Sequence, residues 1–247
     1  MYKFSQAIAL TAVIGLSLVV NAKPGISQEV NHGGHHSSPS PSVTPESAKS
    51  SQITEAHVNE GLTRLHQKDY KGAIDSLSKA IAIQSSHYLA YTYRADIHLL
   101  LKNYQAAIED YTKAIDHNPA HSHLRNSRGV AYTALGEYKR AIEDHSEAIS
   151  IYPEEGAGYR HRAIAYYQIG EDDKALEDLD KAISRNERDA EAYLTRGNVY
   201  ARLKNSLSAI ADYQKSAKLY LAQSNRAGYT KATDLAKAQQ LSGVTSK

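Results

Sequence analysis

The sequence predicts an all-α protein: an α-solenoid of five 34-residue helix-turn-helix repeats closed by a C-terminal capping helix. Three observations predict it. The first is a period, since Ala73, Ala107, Ala141, Ala175 and Ala209 each stand 34 residues apart, followed by Ile74, Ile108, Ile142, Leu176 and Ile210. The second is that two more columns of small residues keep the same register: Gly61, Ala95, Gly129, Ala163 and Gly197 before each Ala, and Ala80, Ala114, Ala148, Ala182 and Ser216 after it. The third is composition. The chain has 18 Tyr but one Phe, one Met and no Trp, which suits closely approaching helices with rings filling the gaps beside them.

In chain order, residues 1–22 read as a signal peptide. Lys3 supplies a positive start, and the apolar run Ala7 to Val20 is too short for the ~20 residues that span a bilayer. Val20-Asn21-Ala22 places cleavage after Ala22, which leaves no membrane span; an N-terminal membrane anchor is the alternative. The protein is therefore expected outside the cytoplasm, periplasmic or secreted. Residues 23–52 are rich in Ser, Pro, His and Gly, with little apolar surface to offset ordering, and are expected to form a disordered tether.

The repeats follow over 53–221, about 54–87, 88–121, 122–155, 156–189 and 190–221. From Ala107 to Ile115 the apolar residues fall at i, i+1, i+4, i+7 and i+8, one face of a helix. Tyr91, Ala95 and His98 mark a second stripe upstream, so each unit is a hairpin. Gly136-Glu137 and Gly170-Glu171 turn two of the hairpins where a positive φ is wanted. Asn118-Pro119 and Tyr152-Pro153 punctuate unit boundaries. Residues 222–241 have a weak apolar stripe among polar residues and read as the capping helix that a stacked array needs.

These columns resemble the tetratricopeptide repeat family in their period and small-residue spacing. The aromatics opening the second helices (Tyr70, Tyr104, Tyr138) and the inter-repeat Pro119 and Pro153 also fit it. His57 and Arg125 depart from the usual aromatic early in the first helix, Asp172 and Ser206 from the turn aromatic, and Glu187 and Leu221 from Pro. The resemblance implies a right-handed superhelix whose first helices line a concave groove.

Two sets of polar residues recur. Arg94, Arg128, Arg162 and Arg196 each precede an aspartate by sixteen residues (Asp110, Asp144, Asp178, Asp212), and in the first repeat both change together, to Glu60 and Ser76. That joint change reads as structural Arg–Asp pairs within hairpins, worth about 0.5–1 kcal/mol each if exposed. The groove is sought instead where first-helix positions differ between repeats: Asn59, Tyr93, Asp96, Asn126, Arg160, His161 and Asn198. Asn and Arg there can hold an extended peptide backbone. The family's carboxylate clamp would require Lys and Asn where Val58, Leu62, Thr92 and Asp96 stand, so an uncharged or mixed segment is expected.

No catalytic motif is present. Ser76-Leu77-Ser78-Lys79 matches S-x-x-K but lies inside a helix with no partner motif. No cofactor motif and no signal for an oligomeric state appear, and a net charge of +2 without a basic block argues against nucleic acid. The expected function is non-enzymatic: a scaffold or adaptor binding a protein or peptide partner in its groove. The alternative is a zinc- or copper-handling protein using His32, His35 and His36 of the tether with His117, His121 and His123 between repeats.

Overall fold

The computed structural model describes residues 44–244; the expected signal peptide, its expected cleavage site and most of the expected tether lie outside the described residues. Among these residues there are eleven α-helices and no strand: α1 (Pro45–His66), α2 (Tyr70–Ile83), α3 (Tyr88–Leu100), α4 (Tyr104–His117), α5 (Ser122–Leu135), α6 (Tyr138–Ile151), α7 (Gly156–Ile169), α8 (Asp172–Arg185), α9 (Ala190–Arg202), α10 (Ser206–Ala222) and α11 (Arg226–Val244). The chain divides into two compact units between Ala90 and Tyr91.

In the first unit α1 and α2 form a hairpin. Helix α1 starts at Pro45, so residues 45–52 of the stretch expected to be tether are helical. The local chemistry explains the early start. Thr44 accepts the Ser47 amide at 3.2 Å, Pro45 takes the first position where no N–H is needed, and Glu46 complements the helix dipole. Leu77 of α2 presses onto Gly61 of α1, where an added Cβ would stand 2.8 Å from Leu77 Cγ. Ala73, Leu77 and Ala80 are fully buried around that contact.

In the second unit each helix packs against the next from α4 to α11, giving successive antiparallel hairpins with short turns. The same knob-on-small-residue contact recurs: His145 rests on Gly129, Tyr213 on Gly197 and Tyr220 on Gly228. The capping helix begins at Arg226, a few residues later than the sequence suggests, because α10 runs on to Ala222. Ala232 and Ala236 bury its inner face, while Lys231, Asp234 and Lys237 stay exposed.

The turns between paired helices need one left-handed residue. Gly136 (φ 79°) and Gly170 (φ 84°) meet that need without strain, but Lys68, Lys102 and Lys204 hold the equivalent places at φ 61°, 62° and 60°.

The periodic arginines bind their aspartates as forks. Nε and Nη2 of each donate to the two carboxylate oxygens: Arg94–Asp110 at 2.8 and 2.7 Å, Arg128–Asp144 at 2.8 and 2.7 Å, Arg162–Asp178 at 2.7 and 2.8 Å, and Arg196–Asp212 at 2.7 and 2.9 Å. The value given for exposed pairs does not apply to them, since Asp178 keeps 3% and Arg162 18% of side-chain exposure. The aspartate hydrogen bond holds each guanidinium above its ordinary pKa, against partial burial. A third contact reaches backwards. Nη1 of Arg128, Arg162 and Arg196 donates to Thr112, Ser146 and Asp180 of the preceding hairpin at 3.0, 3.0 and 2.6 Å.

Two predictions follow from the geometry of forks and turns. Asp178→Leu is expected to cost about 2–3 kcal/mol, because it leaves a half-buried guanidinium unpaired, and Arg162→Met a similar amount. The double variant is expected to recover at least ~1 kcal/mol of their sum in urea denaturation; strictly additive losses would mean that the fork carries no coupling. Lys204→Gly is expected to raise stability by about 0.5–1 kcal/mol, the left-handed strain relieved minus the added backbone entropy of Gly. A lowered urea midpoint for this variant would contradict the reading of the turn.

Candidate functional site

In the second unit the first helices of successive hairpins also touch one another, α5 with α7 and α7 with α9, so they form a continuous face. At equivalent register of the first helices α3, α5, α7 and α9 stand Asp96, Val130, Ile164 and Asn198, all half-buried. Both ends of this row are latched from the second helix. Tyr111 donates its hydroxyl to Asp96 Oδ1 at 2.5 Å, and Tyr213 donates to Asn198 Oδ1 at 3.0 Å. Burial pushes the Asp96 carboxyl up, opposed by the Tyr111 hydrogen bond and by His123. Burial likewise pushes the Tyr213 phenol up to about 12. The centre of the row is apolar, with Val130 and Ile164 between the two latches.

The other groove residues expected from sequence are less available than their variability suggests. Asn126 is buried, 5% exposed, and its Oδ1 lies 2.9 Å from His145 Nδ1 and 3.1 Å from His161 Nδ1. It serves the interior rather than a ligand, because His145 brings a second polar group beneath it. Arg160 has Nε 2.9 Å from Asp189 Oδ2, an ion-pair distance without hydrogen-bond alignment, so its charge is already matched. Asp189 also caps α9 by accepting the Ala192 amide, and Tyr220 donates to Glu191 two residues on. Tyr93 is half-buried on α3, and Asn59 is exposed on α1 in the first unit.

Three features escaped the sequence reading. The hydroxyl or carboxylate sixteen residues before each arginine (Thr112, Ser146, Asp180) is a column visible in the sequence but masked by its mixed chemistry. Asp189 gave no periodic signal. His145 stands in the column of Leu77, Tyr111, Leu179 and Tyr213, and its being the one imidazole there was the available clue.

The inter-repeat histidines make ring contacts. His117 stacks on Tyr91 with centroids 6.1 Å apart, and His121 lies edge-on to His123 at 6.3 Å. Among the described residues no three His, Cys, Asp or Glu side chains gather as a metal site, and no helix is long and apolar enough to cross a membrane. Ser76 spends its hydroxyl on the Gly72 carbonyl inside α2, at 3.0 Å.

Comparison with known proteins agrees with this architecture. Sequence models described as "Tetratricopeptide repeat" match residues 88–121, 122–155 and 190–223, and one described as "TPR repeat" matches 163–204. No curated protein sequence matches. Among solved structures, MamA is similar at TM-score 0.63 and 20% identity, covering 71% of this chain and 96% of its own. YrrB, described as a TPR protein with an unusual peptide-binding site, is similar at TM-score 0.59 and 17% identity, covering 78% and 100%. PilF of Pseudomonas aeruginosa is similar at TM-score 0.61 and 17% identity, covering 81% and 100%. At these identities the structures speak for the fold alone. With the 34-residue period, the hairpins that it builds and the matching repeat models, the chain belongs to the tetratricopeptide repeat family.

Proposed function

We propose that the protein is an extracytoplasmic adaptor that holds an extended segment of a partner protein along the first-helix face of α3, α5, α7 and α9. Tetratricopeptide repeats bind protein or peptide partners and are typically non-enzymatic interaction modules, so the class of function follows from the family. The observation that supports this particular face is the row Asp96–Val130–Ile164–Asn198. It is a part of each repeat that differs from its neighbours, and it is partly exposed, whereas the equally half-buried arginines are committed to their aspartates. Two apolar side chains between two latched polar ones suit an extended segment with apolar residues at its centre. YrrB's peptide-binding site lends analogy at the level of fold. The placement outside the cytoplasm rests on Lys3, the Ala7 to Val20 run and the small residues before Lys23.

Capture by the full chain from the exported fraction is expected to yield one dominant protein. Val130→Glu with Ile164→Glu is expected to weaken that capture at least about tenfold, the loss typical of a central apolar contact. Glu143→Lys, on the exposed side of α6, should leave it unchanged. Undiminished capture by the folded double variant would move the site elsewhere. N-terminal sequencing of the mature protein is expected to begin at Lys23; a chain retaining Met1 in the cell membrane would replace export with anchoring.

A further inference from the structure

His145 occupies a place that packing does not reserve for an imidazole. It is fully buried, and its ring rests on Gly129, where an added Cβ would stand 2.6 Å from Cε1. Leu77 rests on Gly61 in the same register within the first repeat, so an aliphatic side chain fills this position equally well. What the imidazole adds is polar. Asn126 Oδ1 can only accept, so both His145 and His161 present Nδ1–H to it, with their rings 5.5 Å apart. The other ring nitrogen of His145 is buried without a hydrogen-bond partner, so a second proton placed there finds no acceptor.

We propose that His145, Asn126 and His161 form an acid-operated joint between the third and fourth hairpins, closed while His145 is neutral and opened when it gains a second proton.

The surroundings support this from every side. On α7, Arg160 and Arg162 face the pair as cations, and on α5 His123 adds to the field at His161. The neighbouring carboxylates are committed: Asp144 to Arg128, Asp178 to Arg162 and Asp189 to Arg160. None remains to neutralise an imidazolium. Burial, with Arg162 and Arg160 behind it, holds His145 down to about 3 from its ordinary 6.5. Burial, with Arg160, His145 and His123, also holds His161 well below that value. The sign is that of a depressed base. The closed state binds fewer protons than the open one, so stability is full above about pH 6.5 and is lost progressively as pH falls toward 3. For His145 alone, the opening constant is expected to rise about thirty-fold between pH 7.5 and pH 5.

Amide hydrogen exchange on the full chain, corrected for intrinsic rates, tests this. Opening over residues 122–169 is expected to rise at least about thirty-fold from pH 7.5 to 5 relative to residues 206–241, and His145→Leu with His161→Ser is expected to abolish the rise. The first change follows Leu77 on Gly61, and the second follows Ser127 at the equivalent place on α5. Equal pH sensitivity in the double variant, or unchanged protection in the native chain, would overturn the proposal. The imidazole resonances of the native chain give a reading that needs no variant. His145 is expected to charge only as 122–169 opens, and an imidazole there titrating near 6.5 with protection intact would refute the joint.

Discussion

Each hairpin of this protein depends on a bulky side chain from the second helix resting on a residue of the first that carries at most a methyl group. Leu77 on Gly61, His145 on Gly129 and Tyr213 on Gly197 are the same contact in three chemistries. It sets how closely two backbones approach, and that distance decides everything placed further out. The arginine forks reach their aspartates at 2.7–2.9 Å because the helices that carry them are held at one separation. A fold built on small residues also explains the poverty in Phe, Met and Trp, since dispersion contacts between close helices replace a thick core.

The forks supply what small residues cannot, which is directional linkage. An apolar contact tolerates sliding, whereas two parallel N–H···O bonds fix rotation and register together. The third donor of Arg128, Arg162 and Arg196 then ties each hairpin to the one before it. In an array whose stability is a sum of unit and neighbour terms, such links lie in the neighbour term and raise cooperativity along the stack.

Much of this was legible in the sequence because it repeats. Four columns in register identify helix pairs, and the joint change to Glu60 and Ser76 marks Arg and Asp as partners rather than as independent surface charges. What repetition cannot report is anything that occurs once. Thr44 and Pro45 start α1 early through local capping outside the periodic region. Asn126 looked like a groove residue because it differs from Thr92 and Arg160, yet its difference answers His145 on the facing helix. Variability between repeats thus has two sources, a ligand outside and a neighbour inside, and only the coordinates of the opposing helix separate them. Asp96 and Asn198 illustrate the mixed case, each latched by a tyrosine while still lying on the half-exposed row.

The backward reach of the arginines gives the second unit a polarity that its near-identical hairpins would not otherwise have. Cutting the array after α8 leaves Arg162 with Asp178 and Ser146 both in place. Cutting it before α7 instead leaves that same arginine without Ser146, with one donor bare at a newly exposed end. Shortened versions should therefore tolerate loss from the C-terminal side better than from the N-terminal side. In a chain emerging from synthesis in N-to-C order, the backward partner of each of these arginines is made before the arginine itself.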